Sequence, residues 1–351
     1  VTKILQTEAE EMPEEVAGPS AQERGDEILL DLFDKNRLLA KGSYTILRKV
    51  YADRFEEEHS EEIEQAFGAE GDDDEEAAAM REWLATHTDA REELYLAIDP
   101  EHDKIPEALR LFRELKEQFP RRFDSYANLA IAVAVVWDAP GDAIHRSPVR
   151  QHSSTPPEGE VEAVENFQYF LETEDLMQGR ARFLPWEFLV HLVNHRTPLG
   201  ERQWALNQYL PKRQMFGKCY DEVPYDQGMI DGMEPRLKGK SHTLMNLRQF
   251  GGVCSVRADF AGRVGKCIGV PAFSVGGESK FGEGHAWVMW VELGGVTETG
   301  FTFSLESHGR FRYDHYYVGY LRDPHTGQRS TDRQLELRLH TVGMNPIAKR
   351  Q

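Results

Sequence analysis

Cysteine is scarce in this chain of 351 residues. Cys219, Cys254 and Cys267 are too few for a disulfide framework, and no Cys-x-x-Cys pair or His-Glu-x-x-His helix suggests structural or catalytic zinc. Long apolar runs are missing as well. The longest candidate, Ala130 to Trp137, is about half of the ~18 residues that a membrane span requires, which excludes a spanning segment. No Asn-x-Ser/Thr acceptor occurs, and no basic, apolar, small-residue signal segment precedes Glu8. A start at Val1 rather than Met is the expected trace of a processed or shortened chain. The compartment stays unknown on this reading, with an extracytoplasmic one slightly favoured.

Basic charge is outnumbered in the front third. Residues 1 to 120 hold 33 Asp and Glu against 14 Lys and Arg, a net of -19, while the remaining 27 acids and 27 bases cancel. The acidic stretches Glu56 to Glu64 and Asp72 to Glu76 repel phosphate backbones and lack interleaved aromatics, so no nucleic-acid partner is expected. They read as solvated helix faces or loops.

Hydrophobic residues make up 40% of the chain and charged residues 29%, a globular balance, and the length allows two or three domains. Residues 1–25 are expected to be a flexible acidic lead-in, and 26–137 an all-helical domain, with Ile28, Leu29, Leu32 and Phe33 at helical spacing. Within it, IPEALRLFRELKEQF and SYANLAIAVAVVW look like one tetratricopeptide-type hairpin, about one repeat length and short of an array. Residues 138–160 concentrate Pro, Gly and Ser and are expected to be a linker. Residues 161–351 begin with helices. They then change to short alternating runs, PAFSV, HAWVMWVEL, FTFSLES and YYVGYL, which predict an antiparallel sheet and an α+β class.

The sharpest local pattern is GGVCSVRADFAGRVGKC. Val256, Phe260 and Val264 recur every four residues, which places Cys254 in the first turn of an amphipathic helix. The unpaired N–H groups and positive dipole end of a helix start stabilise a thiolate. Gly251 and Gly252 let a substrate carbonyl approach the backbone. A nucleophilic cysteine needs a base, and His285 opens the strand GHAWVMWVEL, with Gly284 leaving room for substrate and Trp287 on the same strand face to wall off water. Alternation in GFTFSLES puts Glu306 on the polar face of the next strand, as the expected orienter of His285, with Asp314 and Asp323 in reserve. The structural alternative for each is plain: a small packed cysteine, a turn, a histidine satisfied by a carbonyl.

Together, GGVC before a helix, GHAWV on a strand and an acidic residue one strand later resemble the transglutaminase-like superfamily over residues 185–325. The resemblance implies a papain-like fold and a Cys-His-Asp triad, with bacterial members that are proteases, amidases or acyl transferases. Cys254 matches the nucleophile and His285 the base. Glu306 stands where Asp is usual, and Phe301 where Trp is usual. For the oxyanion donor the resemblance offers Gln249, Tyr220 or Tyr225. Cys219 and Cys267 read as structural. The expected function is cysteine-dependent hydrolysis of peptide or amide bonds, or acyl transfer, through a thioester and without metal or cofactor, on a protein or peptide substrate. The other reading is a non-catalytic scaffold whose helical domain binds a protein partner and whose core is inactive.

Overall fold

The computed structural model describes residues 37–68, 74–139, 147–298, 300–311 and 318–342. Helices fill the first half, Arg37–Glu58, Ser60–Phe67, Glu75–Thr86, Thr88–Ala97, Ile105–Gln118 and Ala127–Val136 among them. No described residue from 37 to 139 lies on a strand. The helix limits follow local chemistry. Asp74 caps Glu75–Thr86 by accepting from the amides of Glu76 and Ala77 at 3.1 and 3.0 Å, and Pro106 sits in the first turn of Ile105–Gln118, where its missing N–H costs nothing. Helix Ala127–Val136 is apolar all round, and every residue from Leu129 to Val136 is buried.

That burial joins the two halves. Helix Ala127–Val136 packs against Trp186–Val193 and Ala163–Glu172, from beyond the expected linker, and Trp137 donates its indole N–H to the carbonyl of Val193 at 3.1 Å. One continuous apolar cluster therefore runs from Ala52 to Leu339 rather than two separate cores. The described part of 138–160 is also packed. A short helix, Ser147–Gln151, lies on Cys254–Cys267, where Gln151 accepts from the Ser255 hydroxyl at 2.7 Å, and Thr155 bridges to Ser241.

The sheet is antiparallel throughout and follows the helices, as an α+β chain does. Its strands are β1 (Ala272–Glu278), β2 (Gly284–Thr297), β3 (Gly300–His308), β4 (Tyr320–Arg322) and β5 (Arg329–Thr331), in the spatial order β3-β2-β1-β4-β5. Helix Cys254–Cys267 packs across β1 and β2. No described helix is long and apolar enough to cross a membrane.

The loop between β4 and β5 anchors the sheet to the helical half. Asp323 caps the amides of His325 and Thr326 and binds Arg338, which presents His325 Nε2 to Asp103 Oδ2 at 2.6 Å. Burial alone lowers the His325 pKa, but the bond to Asp103 and the charges of Asp103, Asp323 and Asp99 outweigh it and raise the value. A histidine with a raised folded pKa contributes stability in full below its unfolded value of ~6.5 and loses it as pH rises through the folded value. Breaking one partner of a buried pair costs about 3 kcal/mol or more. His325→Ala should therefore destabilise the protein by that order at pH 6 in denaturant titrations, and by clearly less at pH 9.

Candidate active site

Helix Leu244–Phe250 is capped by Thr243, whose hydroxyl accepts from the amide of Asn246, and it stops at Gly251. Gly251 has φ +79° and lies so close to Pro224 that a Cβ would sit 2.0 Å from its carbonyl oxygen, so only glycine fits. The amide of Gly252 donates to that same oxygen at 3.0 Å, and Tyr225 pairs with Gly252 as a parallel bridge. Val253 is extended and Cys254 opens the helix Cys254–Cys267, with no acidic residue in the first turn and Lys266 in the last. Cys254 is partly exposed, whereas Cys219 and Cys267 are buried. Burial raises the Cys267 thiol to about 12 and the Cys219 thiol well above its ordinary range. Cys254 is the one accessible thiol of the three.

His285 is buried near the start of β2, with Nε2 2.7 Å from the carbonyl oxygen of Gly309. A carbonyl only accepts, so Nε2 carries the hydrogen and the lone pair of the neutral ring is on Nδ1. The Phe311 ring stacks on the imidazole at 3.9 Å and 12° between planes. Burial lowers the His285 pKa, the bond to Gly309 works against this, and the positive charge of Arg257 lowers it further.

Tyr220 links the helix that Cys254 opens to the strand that carries His285. Its hydroxyl donates to the carbonyl of Ala286, next to His285, at 2.9 Å. Its ring fills the space beside Gly309, where a Cβ would meet ring carbons at 2.7 Å. Burial raises the hydroxyl pKas of Tyr220 and Tyr225, and the charge of Cys254 adds to the rise in both. Arg257, one turn beyond Cys254, donates to Tyr220 O at 3.0 Å and to Asp221 at 2.9 Å. Asp221 holds His308 Nε2 at 2.6 Å.

Several expected roles are corrected by this geometry. Glu306 is exposed, lies opposite Trp290 and accepts from the Ser304 hydroxyl at 2.9 Å. Trp290 lies five positions along β2 from His285, roughly 16 Å, and an odd offset reverses the face. Glu306 does sit on the polar face, but the turn that pairs Thr297 with Gly300, together with the register shift between Leu293 and Val296, brings the chain after His308 to His285. Asp323 belongs to the β4–β5 loop and Arg338, and Asp314 lies outside the described residues. Tyr220 has donated its only hydroxyl proton to Ala286, so it is no oxyanion donor. Trp287 is fully buried, so it does not face substrate, but its ring lies 6.2 Å from that of His285 and screens the imidazole as expected; Phe311 stacks on the imidazole as well. Gln249 is exposed on helix Leu244–Phe250, Gly284 is exposed at the start of β2, and Tyr225 is 41% exposed beside Cys254.

No protein-family model matches the chain, and no match was found among curated proteins or among solved structures. Among the described residues, no group of three or more His, Cys, Asp or Glu side chains is arranged to hold a metal ion.

Two substitutions test whether Glu306 or the backbone frame around Tyr220 and Ala286 holds His285 in place. Glu306→Gln should change the rate of Cys254 alkylation by less than about twofold, since exposed polar changes away from a site are near neutral. Tyr220→Phe, which strips Ala286 O of a partner, should cost about 1 kcal/mol in denaturant titrations and slow the alkylation. A large loss in Glu306→Gln, measured as alkylation rate by mass spectrometry, would restore the carboxylate.

Proposed function

We propose that this chain is a cysteine-dependent hydrolase of peptide or amide bonds, built on a papain-like core of the transglutaminase-like kind. The observation that carries the reading is the cluster itself: a partly exposed thiol at the start of an otherwise buried helix, whose Arg257 holds Tyr220, while Tyr220 donates to Ala286 beside an imidazole whose Nε2–H is fixed by Gly309. A long helix with cysteine at its start, packed across an antiparallel sheet that carries the histidine, supports the papain-like likeness.

Nδ1 of His285 takes the Sγ proton of Cys254, and the thiolate adds to the substrate carbonyl. The first-turn amides of the helix, with the Tyr225 hydroxyl, stabilise the resulting oxyanion. The C–N bond then breaks, the amine leaves with the proton held by His285, and a thioester remains on Cys254. Water gives a proton to His285 and adds to the thioester; the C–S bond breaks, releasing the acid and restoring the thiol. An amine in place of water completes acyl transfer by the same steps. The displacement of Glu306 from His285 favours the scaffold reading, in which the cluster is present without turnover.

Incubation with a proteome-derived peptide library, followed by mass spectrometry of new termini, tests the reading. The wild-type protein should cleave or transacylate, Cys254→Ala should abolish this, and His285→Ala should reduce it by about a hundredfold or more. Because burial holds His285 below its ordinary value of ~6.5, the acid limb of turnover should fall below that pH. Equal cleavage by Cys254→Ala, or none by the wild type, would overturn hydrolysis.

A further inference from the structure

We infer that the site selects a large apolar side chain next to the scissile amide, with Phe311 as the specificity-determining residue. This rests on the hydrolase reading and names its substrate class. Four aromatic side chains are exposed among the described residues, and three of them, Tyr225, Phe281 and Phe311, lie on the segments that bound the site. Phe311 is 57% exposed although one face is stacked on His285. Tyr225 stands beside Cys254 through its bridge to Gly252, and the short segment after it carries the exposed Ile230 and Met233. Phe281, 67% exposed, tops the β1–β2 hairpin four residues before His285. Exposed apolar groups scattered singly need no explanation, but their concentration around reacting atoms marks a recognition surface.

The charges nearby point the same way. The Arg257 guanidinium is bonded to Asp221 and to Tyr220 O, and Asp221 also holds His308, so these ions are engaged with one another. An acidic or basic substrate side chain would have to displace one of them. An aromatic or long aliphatic group instead covers Phe311 and Tyr225 and removes apolar surface from water on both partners. Because Phe311 lies against His285 and Tyr225 pairs with Gly252, two residues before Cys254, whatever they hold is adjacent to the reacting carbonyl.

Acetyl-phenylalanyl, acetyl-glycyl and acetyl-aspartyl chloromethyl ketones test this without a known substrate. In each, the Cys254 sulfur forms a bond to the methylene carbon as the C–Cl bond breaks and chloride leaves. With rates normalised to each probe's reaction with free cysteine, the phenylalanyl probe should label Cys254 about tenfold or more faster than the glycyl one, and the aspartyl probe slowest. In Phe311→Ala the ratio should fall toward one, whereas Phe311→Tyr should keep it; the ratio cancels any change in thiol reactivity. If Phe311→Ala does not fold, the wild-type and Phe311→Tyr ratios still decide. Rapid iodoacetamide labelling of Cys254 with a flat or reversed probe ratio would overturn the apolar preference alone. Slow iodoacetamide labelling of Cys254 would overturn it together with the hydrolase reading.

Discussion

Every residue of helix Cys254–Cys267 from Ala258 onward is buried, and only its first turn reaches solvent. The rest of the molecule is arranged around that constraint. The helix carries charge into the interior and must satisfy it there: Arg263 binds Glu201 at 3.0 Å, Thr197 at 2.9 Å and the carbonyl of His242 at 3.0 Å. Burial lowers the pKa of Lys266, the last basic group of the helix, to about 7. Buried ions of this kind add little net stability but penalise any arrangement that leaves one unpaired, which fixes the helix against Glu201 and the strands beneath. A thiol at the only wet end of such a helix is held by everything packed along the remainder.

The helical half is part of that support. Helix Ala127–Val136 is buried against helices from beyond residue 160, and the β4–β5 loop reaches back to Asp103. Asp138, whose carboxylate accepts from the amide of Lys104 at 2.6 Å, is raised to about 6 by burial, with the nearby charge of Asp103 adding to the shift. These contacts are long in sequence and polar, and they place the acidic front third on the same frame as the thiol.

What the sequence reveals and what it hides divide along physical lines. Four-residue spacing of Val256, Phe260 and Val264 placed Cys254 at a helix start, and alternation predicted β1 to β3, because both periodicities are local properties of the backbone. Alternation also put Glu306 on the polar face of β3, which is the face away from His285. It could not supply the register, which depends on where the hairpin turns, and a shift of a few residues separates Glu306 from His285. The partner that the structure gives His285 is a backbone carbonyl, and Gly309 carries no side-chain signal for it. Counting outward from the Thr297–Gly300 turn would still have missed by one residue, because the register shifts between Leu293 and Val296. Composition likewise marked residues 138–160 as a linker, whereas Gln151 and Thr155 make specific contacts across long sequence separations.

In the proposed chemistry Cys254 and His285 act as one unit, and the pH dependence of iodoacetamide alkylation at Cys254 tests this most directly. In the wild-type protein, alkylation at about pH 6 should remain fast and should far exceed that of Cys219 and Cys267, and the acid-side reactivity should vanish in His285→Ala. Superimposable pH profiles for the wild type and His285→Ala would contradict the account, since the imidazole would then have no part in activating the thiol.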